Sequence, residues 1–416
     1  MESRKLGPFA VPLLLLVLSV CINYIDRSNL SIAAPLLKGE LRISASQLGI
    51  LLSAFFWTYT AMQFVCGWLV DRFDANRVLA VGYLVWSLTT AATGMVHGFA
   101  LLLVMRLVLG IGESVAYPCY SKILAWHLPE HHRGFANGVI CAGTKFGPAA
   151  GSLGAGLLMA KYGWRPVFIW IGLLSLVWLP AWIKWMPRGK SPGPVLDVAP
   201  NFVDIFRQRS FWGSCAGQFC GAYHLYFMLT WLPFYLVHER HLSIQDMAKT
   251  TGMYYLVDAM SAIATGWVTD FSIRNGFTTT LVRKSAMALG WSTAAIGLIG
   301  LGLAGPHSYL GWLIVAGVGC GIGQSGTFAF PQTLAGTQVA GKWVGLQNGI
   351  GNLAGVIGPV LTGSLLDWTG HFQAALALTA GISLLSGLSW VFLVGRVEPV
   401  TWISNTEPLI AVAEIP

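Results

Sequence analysis

Apolar stretches long enough to cross a membrane recur along the whole chain, separated by short polar connections. They form two runs of six on either side of a polar segment that contains four prolines. The stretches cover residues 10–36, 47–70, 77–97, 99–125, 134–160, 164–186, 210–237, 248–270, 280–304, 308–332, 343–366 and 371–395. This pattern predicts an all-α membrane protein with twelve transmembrane helices. We expect an N-terminal bundle over 1–186, a cytoplasmic linker over 187–209, a C-terminal bundle over 210–395 and a cytoplasmic tail over 396–416.

One glycine-rich motif occurs in both halves. Residues 110–114 read Gly-Ile-Gly-Glu-Ser, and residues 321–325 read Gly-Ile-Gly-Gln-Ser. The same offset joins an Asn-Gly pair at 137–138 to one at 348–349, and a Gly-Pro pair at 147–148 to one at 358–359. Three motifs that recur in the same order and at the same spacing predict two pseudo-symmetric six-helix bundles. This architecture is typical of transporters. Gln324 replaces Glu113 in the copy, so the ionisable chemistry is concentrated in the first half.

Composition and charge agree with a membrane protein. The chain is 55% apolar and 10% charged, with a mean hydropathy of +0.64, which excludes an ordinary soluble domain. Most of its 25 lysines and arginines fall on one side of the predicted helices, which predicts that both termini are cytoplasmic. Topology therefore accounts for the net charge of +8, and we expect no nucleic-acid partner. Short outer loops favour a bacterial inner-membrane protein. We also expect it to contact the lipid bilayer and to function as a monomer.

The sequence offers no sign of metal or cofactor chemistry. All seven cysteines lie within apolar stretches and lack the spacing of metal ligands. No serine–histidine arrangement accompanies the charged residues of the predicted helices. We expect neither a cofactor nor a metal, and no enzymatic activity.

Charged residues inside the predicted helices are the candidates for function. Arg106 and Glu113 are seven positions apart, so they lie on the same side of one helix. An ionised side chain in mid-membrane costs about 3 kcal/mol or more, and such residues usually face a cavity or a transport path. The others are Asp26, Arg27 and Lys145 in the first half and Asp258 in the second. The alternative is a set of inert buried pairs, which stabilise a fold only weakly.

The connection between helices 2 and 3 carries a known signature. Residues 67–77 read Gly-Trp-Leu-Val-Asp-Arg-Phe-Asp-Ala-Asn-Arg, which resembles the Gly-x-Leu-x-Asp-Arg-x-Gly-Arg-Arg motif of the major facilitator superfamily. Residues 266–270 begin a weaker counterpart, and Asp74 stands where the motif has glycine. The resemblance implies a cytoplasmic gating network made of Asp71, Arg72, Arg77 and Asp270. Simple anchoring by positive charge is the alternative.

Further motifs narrow the resemblance to the anion:cation symporter family, which includes carriers of galactonate, glucarate and hexuronates and the animal protein sialin. Residues 23–29 read Asn-Tyr-Ile-Asp-Arg-Ser-Asn, similar to the helix 1 motif of the bacterial members. The pattern Arg-x-x-x-Gly-x-x-Glu in helix 4 ends in Pro118, and Thr-Trp-Leu-Pro-Phe-Tyr-Leu occupies 230–236. Together with Gly-Trp-Arg at 163–165, these motifs cover most of residues 20–370.

The resemblance assigns roles to particular residues. It implies that Arg27 contacts a substrate carboxylate, that Asp26 and Glu113 couple protons, and that Tyr59 lines the site. Elementary electrostatics supports this assignment, because desolvation raises the proton affinity of a carboxylate and a nearby cation lowers it. A substrate anion that competes for Arg27 therefore favours protonation of the neighbouring acid. Arg106 either binds substrate or orients Glu113.

Lys145 departs from the residue expected at its position, where monocarboxylate carriers of the family have an uncharged polar side chain. A third buried cation is suited to bind a second carboxylate, which favours a dicarboxylate such as an aldarate. Two other interpretations stay open: Lys145 neutralises Glu113, or its long side chain reaches away from the cavity. We interpret Asp258 as a partner for a neighbouring helix rather than as a proton site.

Uncharged polar side chains complete the predicted site. Asn348 and Asn352 are four positions apart and therefore share one face of helix 11. Gln324 and Ser325 of helix 10 are expected nearby, and hydroxyl and amide groups of this kind suit a polyol anion. Hydrogen bonds between helices are the alternative role for each.

These observations predict a symporter that imports an organic anion, most simply a sugar acid (an aldonate, aldarate or hexuronate), together with protons by alternating access. An anion exchanger or uniporter without net proton coupling is the alternative. A membrane sensor of the anion is a more remote one, because the predicted linker and tail are short.

Overall fold

The computed structural model describes residues 9–128, 130–186, 202–400 and 402. Within these ranges the side chains of residues 64, 67, 71, 125, 130–135, 202 and 336–341 are not described. The greater part of the predicted linker and of the tail therefore lies outside the described residues. Every regular element in the described ranges is a helix.

The first half contains eight helical segments in its described residues. They are α1 Ala10–Leu41, α2 Ala45–Arg72, α3 Ala75–Thr93, α4 Phe99–Ser114, α5 Ala116–His127, α6 Glu130–Tyr162, α7 Trp164–Ser175 and α8 Trp178–Trp185. Segments α4 and α5 together form predicted helix 4, and α7 and α8 form predicted helix 6.

The second half begins with a short helix and ends with a π-helical turn. Its described segments are α9 Phe202–Phe206, α10 Arg209–His238, α11 Ile244–Arg274, α12 Thr279–Leu303, α13 Tyr309–Ser325, α14 Ala329–Thr369 and α15 Gln373–Leu388, followed by the turn Ser389–Leu393. Segment α14 contains the end of predicted helix 10 and all of predicted helix 11.

Three of the predicted spans are divided at a proline. Pro118, Pro180 and Pro331 each occupy the third position of the segment that follows the break, in α5, α8 and α14. Proline lacks a backbone N–H and its ring clashes with the carbonyl four residues earlier, so the preceding helix ends there. Proline is tolerated in the first turn of the segment that follows, because the N–H groups of that turn have no partner inside the helix.

Helix packing is repeated between the halves. In the first half α1 packs on α6, α2 on α4, and α3 on α4 and α7. In the second half α10 packs on α14, α11 on α13, and α12 on α13 and α15. The order of partners is therefore the same, which is the pseudo-symmetry that the repeated motifs predict.

The repeated glycines make equivalent close contacts. A Cβ atom on Gly110 would lie 2.3 Å from the carbonyl oxygen of Phe55 in α2, and one on Gly321 would lie 2.3 Å from that of Asp258 in α11. Only glycine permits helices to approach this closely. The shared motif thus places the fourth helix of each half against the second.

Seven helical stretches among the described residues are long and apolar enough to cross a membrane by length and composition. They do not include α2, α3, α6, α10 and α11. Of these five helices, α6, α10 and α11 carry Lys145, His224 and Asp258 in the interior of the bundle.

The halves meet through α1 with α10, α2 with α14, and α6 with α11. We call the end of the bundle that carries the connections at 42–44, 94–98, 239–243 and 370–372 the outer end, following the predicted orientation. There, Asp367 of α14 accepts hydrogen bonds from the backbone N–H groups of Ala45, at 2.9 Å, and Ser46, at 2.8 Å, in α2. Lys38 lies 5.1 Å from the ring centre of Phe234.

Hydrogen bonds and ring contacts join the halves between the middle of the bundle and the outer end. Glycines also bring the two halves close together in this region. A Cβ atom on Gly49 of α2 or on Gly363 of α14 would lie 2.4 Å from the backbone of the other half. The bundle is therefore closed at the outer end.

Candidate functional site

The first charged pair joins α1 to α4. Arg27 Nε donates to Glu113 Oε2 at 2.8 Å, and the two side chains are 2% and 0% exposed. The close approach of α4 to α2 at Gly110, one turn before Glu113, brings this carboxylate toward the centre of the bundle. The result is a buried ion pair with almost no access to solvent.

Three aromatic rings surround the Arg27 guanidinium. Its central carbon lies 4.5 Å from the ring centre of Tyr59, 4.7 Å from that of Tyr24 and 4.9 Å from that of Phe55. Aromatic faces are negative, so they stabilise a cation that has left water. The charge of Arg27 is therefore held by one carboxylate and three rings.

Several polar atoms around this pair have no hydrogen-bond partner among the described residues. They include Arg27 Nη2, Glu113 Oε1, both carboxylate oxygens of Asp26, and both side-chain polar atoms of Asn23. Buried polar groups are normally paired, so a cluster of unpaired ones indicates a place for water, protons or a ligand. The spare donor of Arg27 is well suited to a carboxylate, which a guanidinium binds through two parallel hydrogen bonds.

Asp26 and Arg106 complete a cluster of four charges. Asp26 is 2% exposed and Arg106 is 4% exposed. Both interact electrostatically with Glu113, and Arg106 also interacts with Arg27. The guanidinium of Arg106 lies 5.3 Å from the ring centre of Phe55, on which Arg27 also packs. The four predicted charges of helices 1 and 4 are thus brought together.

Lys145 belongs to a second pair, which joins the two halves. Its Nζ donates to Asp258 Oδ2 at 2.7 Å and to Gln324 Oε1 at 2.6 Å. Lys145 is on α6, whereas Asp258 is on α11 and Gln324 on α13. The structure therefore contradicts the alternative in which Lys145 neutralises Glu113, because the acid that Lys145 contacts is Asp258.

The uncharged candidates occupy different surroundings. Asn352 Oδ1 accepts a hydrogen bond of 2.5 Å from Tyr226, whose ring lies 4.4 Å from Phe56 across the boundary between the halves. Asn348 is half-buried one turn earlier on α14. Ser325 donates to the backbone carbonyl of Ile322 at 2.8 Å, an interaction within its own helix.

The predicted gating residues lie at the opposite end from the outer end. Arg72 and Arg77 are exposed at the ends of α2 and α3, and Arg72 lies 5.6 Å from the ring centre of Trp68. Asp270 is exposed on α11. The side chain of Asp71 is outside the described ones. Asp74 caps α3 by accepting from the backbone N–H groups of Asn76 and Arg77, a role that a glycine side chain lacks.

Sequence reasoning missed some contributors to this site. Tyr24 and Phe55 pack on Arg27, and Tyr226 binds Asn352. Tyr24 is close to Asp26 in the chain, which is a signal that its neighbourhood matters. Aromatic residues are frequent in this sequence, however, so neither Phe55 nor Tyr226 stands out without the packing of helices.

Comparison with known proteins agrees with this geometry. The chain is 29% identical over 391 residues to the hexuronate transporter of Bacillus subtilis, covering 91% of this chain and 92% of that protein. It is 28% identical to the probable galactarate/D-glucarate transporter GarP of Escherichia coli K12, covering 95% and 97%. A bacterial homolog of the human lysosomal transporter Spinster, in an inward-facing and unoccupied conformation, shares the fold with a TM-score of 0.74 and 19% identity over 94% of this chain and 95% of that one.

The model of one protein family matches most of the chain, over residues 16–340 and 271–414. Members of this family are membrane transporters and not enzymes. The helix order, the repeated packing of the halves and the buried charges between them accord with that match. The chain therefore belongs to the Major Facilitator Superfamily and is a multi-pass membrane transporter whose relatives carry sugar acids.

Proposed function

We propose that this transporter is a symporter that imports an organic anion, a sugar acid, together with protons by alternating access. The observation that carries the proposal is the buried contact of 2.8 Å between Arg27 and Glu113. Arg27 is the group to which a carboxylate substrate binds, and Glu113 holds the position on Arg27 that the substrate carboxylate would take.

Competition at Arg27 links substrate to proton. A substrate carboxylate that binds Arg27 displaces Glu113, which then lies in the protein interior without its hydrogen-bonded cation and retains only the electrostatic interaction with Arg106. A buried carboxylate without a partner is strongly disfavoured and is relieved by protonation. One proton is therefore taken up for each carboxylate that displaces Glu113, and the charge of the site is unchanged. Asp26, whose oxygens have no partner among the described residues, receives or passes on this proton.

The surroundings of the pair favour a hydroxylated anion. Tyr59 and Tyr24 offer hydroxyl groups beside Arg27, and Asn352 offers an amide N–H₂ that has no partner in the described structure. Hydroxyl and amide groups bind the hydroxyls of a polyol in the way that a sugar acid requires. The printed names of the relatives, which refer to hexuronate and to galactarate and D-glucarate, support the same class.

Closure at the outer end defines one state of the transport cycle. With both termini cytoplasmic and the protein in a bacterial inner membrane, the closed end faces away from the cytoplasm, and the site communicates with the cytoplasm through the opposite end. Substrate and protons then leave toward the cytoplasm, and the six-helix halves over 1–186 and 210–395 rock about the site to face the other side. We propose that a single copy of the chain performs this cycle.

Two other functions are consistent with a bound anion. An exchanger or uniporter would use Arg27 without net proton movement, and a sensor would bind the anion without flux. The unpartnered acid Asp26 beside the Arg27–Glu113 pair favours proton coupling, because a site for an anion alone has no need of two buried acids.

Uptake by proteoliposomes tests the proposal. Labelled aldonates, aldarates and hexuronates are supplied with and without an inward proton gradient to the wild-type protein, to Glu113→Gln and to Glu40→Gln, an acid at the outer end that pairs with Arg165. We expect gradient-driven accumulation in the wild type and in Glu40→Gln. Glu113→Gln should lose accumulation of the aldonates and hexuronates, which have one carboxylate, and retain exchange of these anions. Equal uptake with and without the gradient would overturn proton coupling.

A further inference from the structure

The ion pair formed by Lys145 and Asp258 has the same arrangement as the ion pair formed by Arg27 and Glu113. Each consists of one cation and one acid in contact through a single carboxylate oxygen, at 2.7 Å and 2.8 Å respectively. In each, the second carboxylate oxygen, Asp258 Oδ1 or Glu113 Oε1, has no partner in the described part of the chain. Two such pairs lie in one transporter interior.

The two pairs are neighbours. Tyr24 packs on the Arg27 guanidinium at 4.7 Å and also interacts electrostatically with Lys145. The close packing of α1 against α6 explains this position, because a Cβ atom on Gly147, two residues after Lys145, would lie 2.8 Å from the Cβ of Tyr24. A ligand that spans Tyr24 therefore reaches both cations.

Lys145 has the donors and the access that a ligand needs. An ammonium group has three N–H donors, and its contacts to Asp258 and Gln324 use two of them. The Lys145 side chain is 16% exposed, whereas that of Asp258 is 1% exposed. The cation is thus the more exposed member of the pair, and the acid is almost fully buried.

We propose that Lys145, Asp258 and Gln324 form a second carboxylate subsite, so that the preferred substrate is a dicarboxylate such as an aldarate. The inference rests on the proposed function, since it deepens the assignment of the same cavity. The distal carboxylate of the substrate takes the place of Asp258 on Lys145, and Asp258 accepts a proton. The sequence alone favoured a purely structural role for Asp258, and its contact with a cation of the opposite half changes that interpretation.

The charges balance in this scheme. A dianion displaces Glu113 from Arg27 and Asp258 from Lys145, and each displaced acid takes up one proton, so transport of one dianion with two protons moves no net charge. Other titratable groups near Asp258 are Cys320 on α13 and Tyr254 and Tyr255 on α11, and His224 on α10 interacts electrostatically with Lys145. His224 is bound to Ser383 at 2.9 Å and is fully buried.

The first test compares matched substrates. Uptake of an aldarate and of the aldonate with the same stereochemistry is measured for the wild type, Lys145→Gln, the double variant Lys145→Gln/Asp258→Asn and Lys161→Gln, an exposed lysine on the same helix. The wild type and Lys161→Gln should prefer the aldarate. In Lys145→Gln and in the double variant the ratio of aldarate to aldonate uptake should fall by about ten- to a hundredfold.

The double variant guards against misfolding, because it removes both charges and leaves no unpaired acid in the interior. A wild-type protein that prefers the aldonate, or a Lys145→Gln substitution that lowers both uptakes equally, would overturn the second subsite. In either case, uptake of the aldonate by the wild type would still be driven by protons, so failure of the inference is distinguishable from failure of proton symport itself.

The second test measures net charge. A potassium gradient with valinomycin sets an inside-negative membrane potential, and aldarate uptake is followed at fixed proton gradient. Uptake by the wild type should not respond to the potential. Asp258→Asn should carry the dianion with one proton, and its uptake should fall as the potential becomes more negative inside. Equal responses of the two proteins would exclude Asp258 as a proton site.

Discussion

The contacts of the Arg27 side chain explain why an arginine is suited to this position. Its guanidinium contacts one carboxylate oxygen and three aromatic rings, and one of its terminal nitrogens has no partner among the described residues. A planar guanidinium can stack on rings and present parallel donors to a carboxylate, which a lysine ammonium cannot do. The site therefore depends on the shape of the cation as well as on its charge.

Arg27→Lys tests that dependence. The substitution keeps the charge but loses the paired donors and the stacking, so we expect substrate affinity to fall about ten- to a hundredfold, the range for a lost charge-assisted hydrogen bond. Arg274→Lys, at an exposed position at the end of α11, is the matched control and should bind as the wild type does. Isothermal titration with the preferred sugar acid measures both. Unchanged affinity in Arg27→Lys would show that the substrate carboxylate binds elsewhere.

At this scale the sequence located the charged residues of the predicted site but did not show how they pair. Charges in apolar helices are visible in any sequence, and they led to Asp26, Arg27, Arg106, Glu113 and Lys145. Pairing depends on the rotation and distance of helices that are far apart in the chain. Glu113 binds Arg27 of α1 rather than Arg106 of its own helix, and Lys145 finds its acid in the opposite half.

Among the helices, glycine sets how closely α4 approaches α2. A Cβ atom at Gly110 would lie 2.3 Å from the Phe55 carbonyl oxygen and equally close to the Thr58 hydroxyl. Thr58 itself donates to the Leu107 carbonyl at 2.7 Å, so side chain and backbone already fill this contact. Glu113 follows one turn later, and its position depends on the approach.

Gly110→Ala should destabilise the protein by about 1 to 3 kcal/mol, the usual cost of overpacking a filled contact. Gly154→Ala on α6 is the control, because a Cβ atom there meets nothing within 4 Å and alanine favours helix. Thermal unfolding in detergent should give a lower midpoint for Gly110→Ala and an unchanged or higher one for Gly154→Ala. Equal midpoints for the two variants would contradict the packing argument.

Asp367 of α14 forms hydrogen bonds with the N-terminal end of α2. The first N–H groups of a helix have no partner inside it. In α2, Ser44 and Gln47 cap each other, and Asp367 accepts from the next two backbone N–H groups. The carboxylate lies in the last turn of its own helix, where the macrodipole disfavours it, but at the N-terminus of another, where the dipole favours it.

Asp367→Asn should therefore weaken closure of the outer end. A neutral side chain loses about 1 kcal/mol of charge–dipole attraction, which shifts the balance between closed and open forms about fivefold toward the open one. Distances between spin labels at Arg42 and His371, in a background without native cysteines, report the shift. Asp246→Asn, whose contacts are with Ser243 and Lys249 of its own helix end, is the control. An unchanged distance distribution in Asp367→Asn would show that Asp367 does not stabilise the closed outer end.

Helices were easier to predict than their interruptions. Apolar length alone located the spans, because a membrane helix must satisfy all its backbone groups internally. The sequence does not distinguish two kinds of proline. Pro118, Pro180 and Pro331 divide their spans, whereas Pro148 and Pro359 lie inside unbroken helices. Which proline divides a helix depends on packing that local pattern does not encode.

For the whole molecule, the two halves share one pattern of helix packing but differ in the charged residues that they carry. Both halves repeat the same helix contacts, and the repeated glycines occupy equivalent places. The acid of the motif persists only in the first half as Glu113, while its counterpart Gln324 binds Lys145 across the boundary between the halves. Sequence repeats predicted this architecture well. Closure at the outer end was beyond prediction, because one sequence has to support both states of a transport cycle.

The central claim is that a substrate carboxylate replaces Glu113 on Arg27 and so causes proton uptake. It is tested most directly by adding substrate to purified protein in weak buffer and recording the pH. Proton uptake should accompany saturable binding in the wild type and should be reduced in Glu113→Gln while binding persists. Substrate binding to the wild type without any proton uptake would contradict the account.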